Sequence, residues 1–105
     1  MKIVKYLLFL VFLFSSSAFA RTDCPAAKVL HIQIEGSVIL YMQEGSSWRR
    51  LGNLDEVGTA ERYSALLAAQ IAGLKVMVGY RSSSYNCAVT NYSEPAYIVR
   101  TYNRE

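Results

Sequence analysis

Residues 59–80 read TAERYSALLAAQIAGLKVMVGY, in which a helix pattern is followed at once by a strand pattern. Thr59 is a suitable N-cap, Glu61 suits the first turn and Gly73 is typical of a helix C-terminus. Residues 75–81 then alternate between two sides, which predicts a strand. This is the one clear helix pattern in the chain, so its place in the order of elements decides the fold.

Four further strands are predicted around this pair. Residues 28–35 (KVLHIQIE) alternate, and residues 37–43 (SVILYMQ) follow after Gly36, which predicts a hairpin. Residues 48–51 and 96–102 supply the third and the last strand. The chain is therefore expected to be mainly β with one helix, in the order β-β-β-α-β-β. That is the order of the OB-fold, a small five-stranded barrel, and an open five-stranded sheet covered by one helix is the alternative.

The two sides of the predicted helix differ. The side expected to face the sheet consists of Tyr63, Leu66, Leu67, Gln70 and Ile71. The opposite side carries Ala65, Ala68, Ala69 and Ala72, and no charged residue occurs from 63 to 73. Alanine is the best helix former, which alone explains its use here. The alternative is that copies of the same chain bury this alanine face in an oligomer.

Residues 1–20 have the pattern of a secretory signal peptide. Lys2 and Lys5 precede a short apolar run, and residues 18–20 (AFA) form a small-residue cleavage site. The apolar run is shorter than the ~20 residues that a membrane span requires. We therefore expect cleavage near Ala20, a secreted or periplasmic location, no membrane span, and a single domain over residues 21–105.

The charge of the chain after such cleavage indicates which classes of partner are expected. The whole chain carries 11 basic and 8 acidic side chains, a net charge of +3. Removal of Lys2 and Lys5 leaves nine basic side chains against eight acidic, and the basic residues do not cluster beyond Arg49 and Arg50. Nucleic acid is therefore not an expected partner.

Cysteine usage agrees with export. Cys24 and Cys87 are the only two cysteines of the chain. An even count in a small exported protein predicts that they form one disulfide bond.

Signals for catalysis or metal binding are missing. His31 is the single histidine and has no cysteine, histidine or aspartate near it at ligand spacing, so we expect neither a metal nor another cofactor. No nucleophile motif or phosphate-binding glycine run occurs. We expect no catalytic residues and a protein that is not an enzyme. A small secreted enzyme using His31 and Glu35 is the weakest of the interpretations considered.

A binding function fits the remaining residues better. After residue 20 the aromatic side chains are tyrosines and one tryptophan, which offer flat apolar faces with a polar edge. Such surfaces suit sugars and protein surfaces alike. The candidate ligand-binding residues are Trp48, Arg49, Tyr80, Ser82, Tyr85, Asn86 and Tyr92.

Residues 63–80 (YSALLAAQIAGLKVMVGY) are similar to the helix-to-strand segment of the B, or cell-binding, subunits of pentameric A–B toxins of the subtilase-cytotoxin and typhoid-toxin type. The resemblance implies an OB-fold subunit, a ring of five copies with the helices at its centre, a host glycan as ligand and a separate catalytic subunit as partner. The chain departs from the pattern at residues 25–27 (PAA), where those subunits have a sugar-binding serine, so no sugar contact is carried over.

The first functional hypothesis is therefore a secreted, ring-forming recognition subunit that binds glycans, such as the cell-binding part of an A–B toxin. The alternative is a periplasmic or secreted inhibitor or adaptor that binds a partner protein through a loop such as residues 82–86.

Overall fold

The computed structural model of the chain describes residues 20–103, so the predicted signal peptide lies outside the described residues except for Ala20. The described residues form a six-stranded antiparallel sheet and one helix. The elements are β1 (Thr22–Asp23), β2 (Ala27–Glu35), β3 (Val38–Gln43), β4 (Arg49–Asn53), α1 (Thr59–Ala72), β5 (Lys75–Tyr80) and β6 (Ile98–Thr101). The mainly β class and the order of the predicted elements are confirmed, with β1 as an additional short strand.

Strand pairing places β2 and β5 at the centre of the sheet. β2 pairs with β3 along most of its length, and β4 pairs with the far edge of β3. The start of β2 pairs with β5, which also pairs with β1 and β6. The predicted hairpin between β2 and β3 is therefore confirmed. β4 begins one residue later than predicted and continues through Gly52 and Asn53, and β6 is shorter than predicted.

The sheet does not close into a continuous barrel, because β4 and β6 share no ladder. The segment that leads into β6 nevertheless runs beside β4. The Asn91 N–H donates to the Trp48 carbonyl oxygen at 3.1 Å, and the Ala96 N–H donates to the Leu51 carbonyl oxygen at 3.0 Å. The architecture is thus an open sheet whose two ends are linked by isolated backbone hydrogen bonds.

The helix ends where the sequence predicts and begins differently. Gly73 adopts a left-handed conformation (φ +70°) and its N–H donates to carbonyl oxygens of the last turn, as at a glycine-terminated helix. At the start, the N-cap is Gly58 (φ +87°), and Thr59 is the first helical residue, so the N-cap prediction was wrong by one position. No helix within residues 20–103 is long and apolar enough to span a membrane.

The helix is rotated about its axis relative to the prediction. Leu66 and Ala69 are its buried apolar residues, whereas Ile71 is 79% exposed. The small side chain of Ala69 allows α1 to approach the sheet closely. Ile71 therefore does not face the sheet, and Ala69 does not belong to the outward alanine face, contrary to both predictions. Ala68 and Ala72 are exposed, as that face requires, and Ala65 is half-buried.

The predicted disulfide between Cys24 and Cys87 is confirmed, with a sequence separation of 63 residues. Cys24 is buried and its N–H donates to the Val78 carbonyl oxygen, so the bond joins the start of the sheet to the loop after β5. A disulfide of this kind fits an oxidising compartment outside the cytoplasm.

Loss of this bond should lower stability. The Cys24→Ser, Cys87→Ser double variant should lose about 4 kcal/mol of unfolding free energy, because the crosslink no longer restricts the unfolded chain over a long loop. Urea denaturation followed by circular dichroism measures the difference. The control is wild type that has been treated with the alkylating reagent without prior reduction, so that its disulfide is intact. Equal stability of variant and wild type would contradict this expectation.

Candidate functional site

The interior of the sheet contains a cluster of polar aromatic and cationic side chains. The hydroxyls of Tyr41 and Tyr80 are hydrogen-bonded at 2.5 Å, and the ring of Tyr85 stacks parallel to that of Tyr80 at 3.7 Å between centroids. The guanidinium carbon of Arg49 lies 5.3 Å from the centre of the Tyr41 ring. Tyr80, Tyr85 and Arg49 are all buried, so these three candidates do not lie on the open outer surface of the sheet.

Burial strongly affects the ionisation of these tyrosines. It raises the pKa of Tyr41 and Tyr80 well above the ordinary tyrosine value, because a phenolate there would lose its hydration. The positive charge of Arg49 opposes this effect on the pKa of Tyr41 without cancelling it. Burial raises the pKa of Tyr85 in the same direction. All three side chains are therefore neutral at physiological pH.

The opposite side of β2, β3 and β4 faces outward and forms the candidate site, here called the outer sheet face. The register pairs His31 with Met42, Gln33 with Leu40 and Glu35 with Val38, so these side chains share one side. Leu40 in turn pairs with Arg50. The outer sheet face consists of the strand residues His31, Gln33, Glu35, Val38, Leu40, Met42 and Arg50, together with Trp48, whose ring stacks on His31.

A cleft of about 520 Å³ lies on this face. It is lined by the apolar side chains of Val38 and Leu40, by the polar side chains of Gln33 and Glu35, and by Tyr92. Tyr92 is 56% exposed. The cleft thus combines an aromatic ring, an apolar floor, an amide and a carboxylate.

The loop that carries Tyr92 is held by hydrogen bonds of the residues before and after it in the chain. The Asn91 side-chain oxygen accepts from the backbone N–H groups of Ser93 and Glu94. Arg50 donates to the Ser93 carbonyl oxygen at 2.9 Å and also pairs with Glu56 at 3.0 Å. The Tyr92 ring is therefore presented by an ordered loop, which reduces the entropy lost when a ligand binds.

Trp48 lies at the other end of the same face. Its ring stacks on His31, with 6.0 Å between centroids and 24° between the ring planes. The Asn91 N–H bonded to its carbonyl oxygen ties Trp48 to the loop that holds Tyr92. Of the seven candidates, Trp48 and Tyr92 are the two that the fold brings to the outer sheet face.

The remaining two candidates lie in the loop after β5. The Ser82 N–H donates to Glu94, and its carbonyl oxygen accepts from the Thr22 hydroxyl. Asn86 is exposed, and its side-chain oxygen accepts from the Ala88 N–H. Both residues thus have local structural partners, and neither lines the Tyr92 cleft.

Two observations concern acid–base and metal chemistry. His31 and Glu35 are four residues apart on one strand, a spacing of about 13 Å, so the two side chains do not form a pair. Within residues 20–103, no group of three or more His, Cys, Asp or Glu side chains is placed to hold a metal ion.

Four residues of the cleft were not among the sequence candidates. Alternation in residues 28–35 correctly places Gln33 and Glu35 on the polar side of their strand. It carries no information on which residues lie opposite them, so Val38 and Leu40 could be found only from the pairing register. The sequence did predict that residues 28–35 and 37–43 pair in a hairpin, which brings the two strands together without fixing the register.

No protein-family model matches the chain, and searches of curated proteins and of solved structures found no significant match. Only the residues and their geometry therefore bear on function.

The buried tyrosines predict loss of stability in alkali. The pKa values of these tyrosines are raised in the folded state, so the folded protein keeps them neutral where the unfolded chain ionises. The unfolding free energy is therefore unaffected below about pH 10, the ordinary tyrosine pKa, and decreases as the pH rises above it. Each such tyrosine should lower the unfolding free energy by about 1.4 kcal/mol per pH unit in that range. Urea denaturation between pH 8 and about pH 11.5 measures the slope, and Tyr41→Phe should reduce it. Ionisation of all tyrosines near their ordinary pKa in the folded protein, seen by absorbance at about 295 nm, would contradict the burial.

Proposed function

We propose that this chain is an exported recognition subunit that binds a glycan on the outer sheet face and assembles with copies of itself into a ring. The observation that carries the proposal is the exposed Tyr92 ring, held by an ordered loop beside a cleft with both apolar and hydrogen-bonding walls. The resemblance of residues 63–80 to toxin B subunits agrees with this function.

The cleft suits a sugar for chemical reasons. A pyranose ring has an apolar C–H face, which packs on an aromatic ring, and a rim of hydroxyls that donate and accept hydrogen bonds. Tyr92 supplies the aromatic face, while the Gln33 amide and Glu35 carboxylate supply partners for hydroxyls. The volume lies within the range of small-ligand sites. Trp48, at the other end of the face, offers a second ring for a longer glycan.

Assembly is supported by exposed aliphatic side chains on α1 and β2. Gln70 donates to the Leu30 carbonyl oxygen, so the end of α1 lies beside β2. The exposed apolar residues of these two elements, large and small, are here called the α1–β2 surface. It consists of Leu30, Ile34, Ala68, Ile71 and Ala72. Exposed apolar surface of this kind is typical of a protein–protein interface.

The edges of β2 and β6, which differ from each other, are the second support for a ring. Among the described residues, β6 pairs with β5 alone, and β2 from Val29 onward pairs with β3 alone. An unpaired edge readily accepts a strand from another chain. When two different edges join successive copies, each copy uses both, and a closed assembly of this kind is a ring.

The place of the subunit in a larger system follows from the resemblance. As the cell-binding part of an A–B toxin, it would need no catalytic residue of its own and would carry a separate catalytic subunit. Secretion through a signal peptide ending near Ala20 agrees with the disulfide, which forms in oxidising compartments.

Replacing the exposed ring should abolish glycan recognition. Tyr92→Ala should weaken binding at least ~10-fold, because a central aromatic contact carries much of the affinity of such a site. Glycan-array screening of residues 21–105, followed by calorimetry on the best ligand, measures the effect. The matched control is Tyr102→Ala, which removes an exposed tyrosine that does not line the cleft. Equal losses in both variants, or an array without any bound glycan, would contradict the proposal.

A charge on the α1–β2 surface should dissociate the assembly. Ala68→Glu and Ile71→Glu should each convert it to monomers, because a carboxylate buried in an apolar interface loses its hydration without a partner. Size-exclusion chromatography with light scattering gives the mass, and Thr90→Glu, at an exposed loop position, controls for added charge. A monomeric wild type, or an unchanged mass for Ala68→Glu, would refute the ring.

A further inference from the structure

A second cleft, of about 280 Å³, lies where β2 begins, β3 ends and β4 begins. Residues 25–27 and 87–88 give it largely apolar walls, and the turn at residues 44–46 forms another wall. Gln43 and Arg49 also line it. It shares no lining residue with the Tyr92 cleft, so we call it the end cleft.

The end cleft contains a positive charge without a counter-ion. Arg49 is 1% exposed, and no carboxylate within residues 20–103 forms an ion pair with it. Its Nη2 donates to Gln43 Oε1 and to the Ser46 hydroxyl. Its Nε and Nη1 atoms are buried and have no hydrogen-bond partner among the described residues.

Gln43 fixes the guanidinium in this position. Its amide nitrogen donates to the carbonyl oxygens of Ala27 at 3.0 Å and Val76 at 2.8 Å, which directs its oxygen towards Arg49. The Tyr41 ring stabilises the cation from one face. Arginine does not lose its proton in proteins, so it remains charged here. A buried guanidinium with two unpaired nitrogens is unfavourable unless an acceptor completes its hydrogen bonds, and an anionic acceptor also balances its charge.

We propose that the end cleft binds the carboxylate of a small ligand, with Arg49 as its charge partner. The apolar walls contact the hydrocarbon part of that ligand, and an Arg49 N–H donates to a carboxylate oxygen. Anions with two or more charges are disfavoured, because the site holds one cation and Glu44 lies in its wall. This inference does not rest on glycan binding at the outer sheet face.

Access to Arg49 requires a small movement of the wall. Both unpaired nitrogens are shielded from solvent, so a carboxylate reaches them only after part of the cleft wall moves outward.

The direct test is a titration of residues 21–105, disulfide intact, with sodium butanoate. The neutral isostere butanamide and sodium chloride at the same ionic strength are the controls. Butanoate should shift the ¹⁵N–¹H signal of Arg49 Nε saturably and raise the thermal midpoint, whereas the controls should do neither. Absence of a saturable shift, or an equal shift with butanamide or chloride, would overturn the proposal.

Replacement of Arg49 could prevent folding. The second test therefore uses variants of a residue at the mouth of the cleft. Ala88 is exposed and lines the cleft, so Ala88→Glu supplies a competing carboxylate and should weaken butanoate binding at least ~10-fold. Ala88→Gln, of similar size and neutral, should bind like wild type. Equal binding by Ala88→Glu and wild type, or equal losses in both variants, would overturn the proposal. Tyr92→Ala should leave butanoate binding unchanged, which separates this site from the glycan cleft.

Discussion

The hydrogen bond between the Tyr41 and Tyr80 hydroxyls joins two strands that are not neighbours in the sheet. Residues 20–103 contain no phenylalanine, and the aromatic side chains buried among them are those of Tyr41, Tyr80 and Tyr85. A phenol buried without a hydrogen-bond partner costs stability. The pairing of these two hydroxyls satisfies both groups and connects the β3 side of the sheet to the β5 side across the interior. The packing of Tyr85 and Arg49 depends on this pair.

A polar interior determines which side chains remain for the surface. Tyr41, Tyr80 and Tyr85 are taken up inside, and Arg49 is buried with them. The rings left for recognition include Trp48, which stacks on His31, and Tyr92, which lines the cleft on the outer sheet face. The same interior contains the Arg49 cation, two of whose nitrogens have no hydrogen-bond partner within residues 20–103. The outer sheet face and the end cleft therefore both follow from how the interior is built.

Local patterns in the sequence predicted local structure well. The alternation of residues 28–43 predicted the hairpin, Gly73 marked the end of α1, and the cysteine count predicted the disulfide. Burial was harder to predict, because it depends on contacts between distant elements. Tyr80, Tyr85 and Arg49 have the residue types of a binding surface, and only the tertiary packing shows that they are inside. The rotation of α1, which buries Ala69 and exposes Ile71, likewise depends on how closely the helix approaches the sheet.

The account of function depends most on whether copies of the chain cover the α1–β2 surface. Hydroxyl-radical footprinting of wild-type residues 21–105 over a dilution series measures this directly at Ile71, which is 79% exposed in the single chain. We predict slow oxidation of Ile71 at high protein concentration and faster oxidation once dilution separates the copies. Fast oxidation of Ile71 at every concentration would show that the surface is open to water and would contradict the proposed assembly.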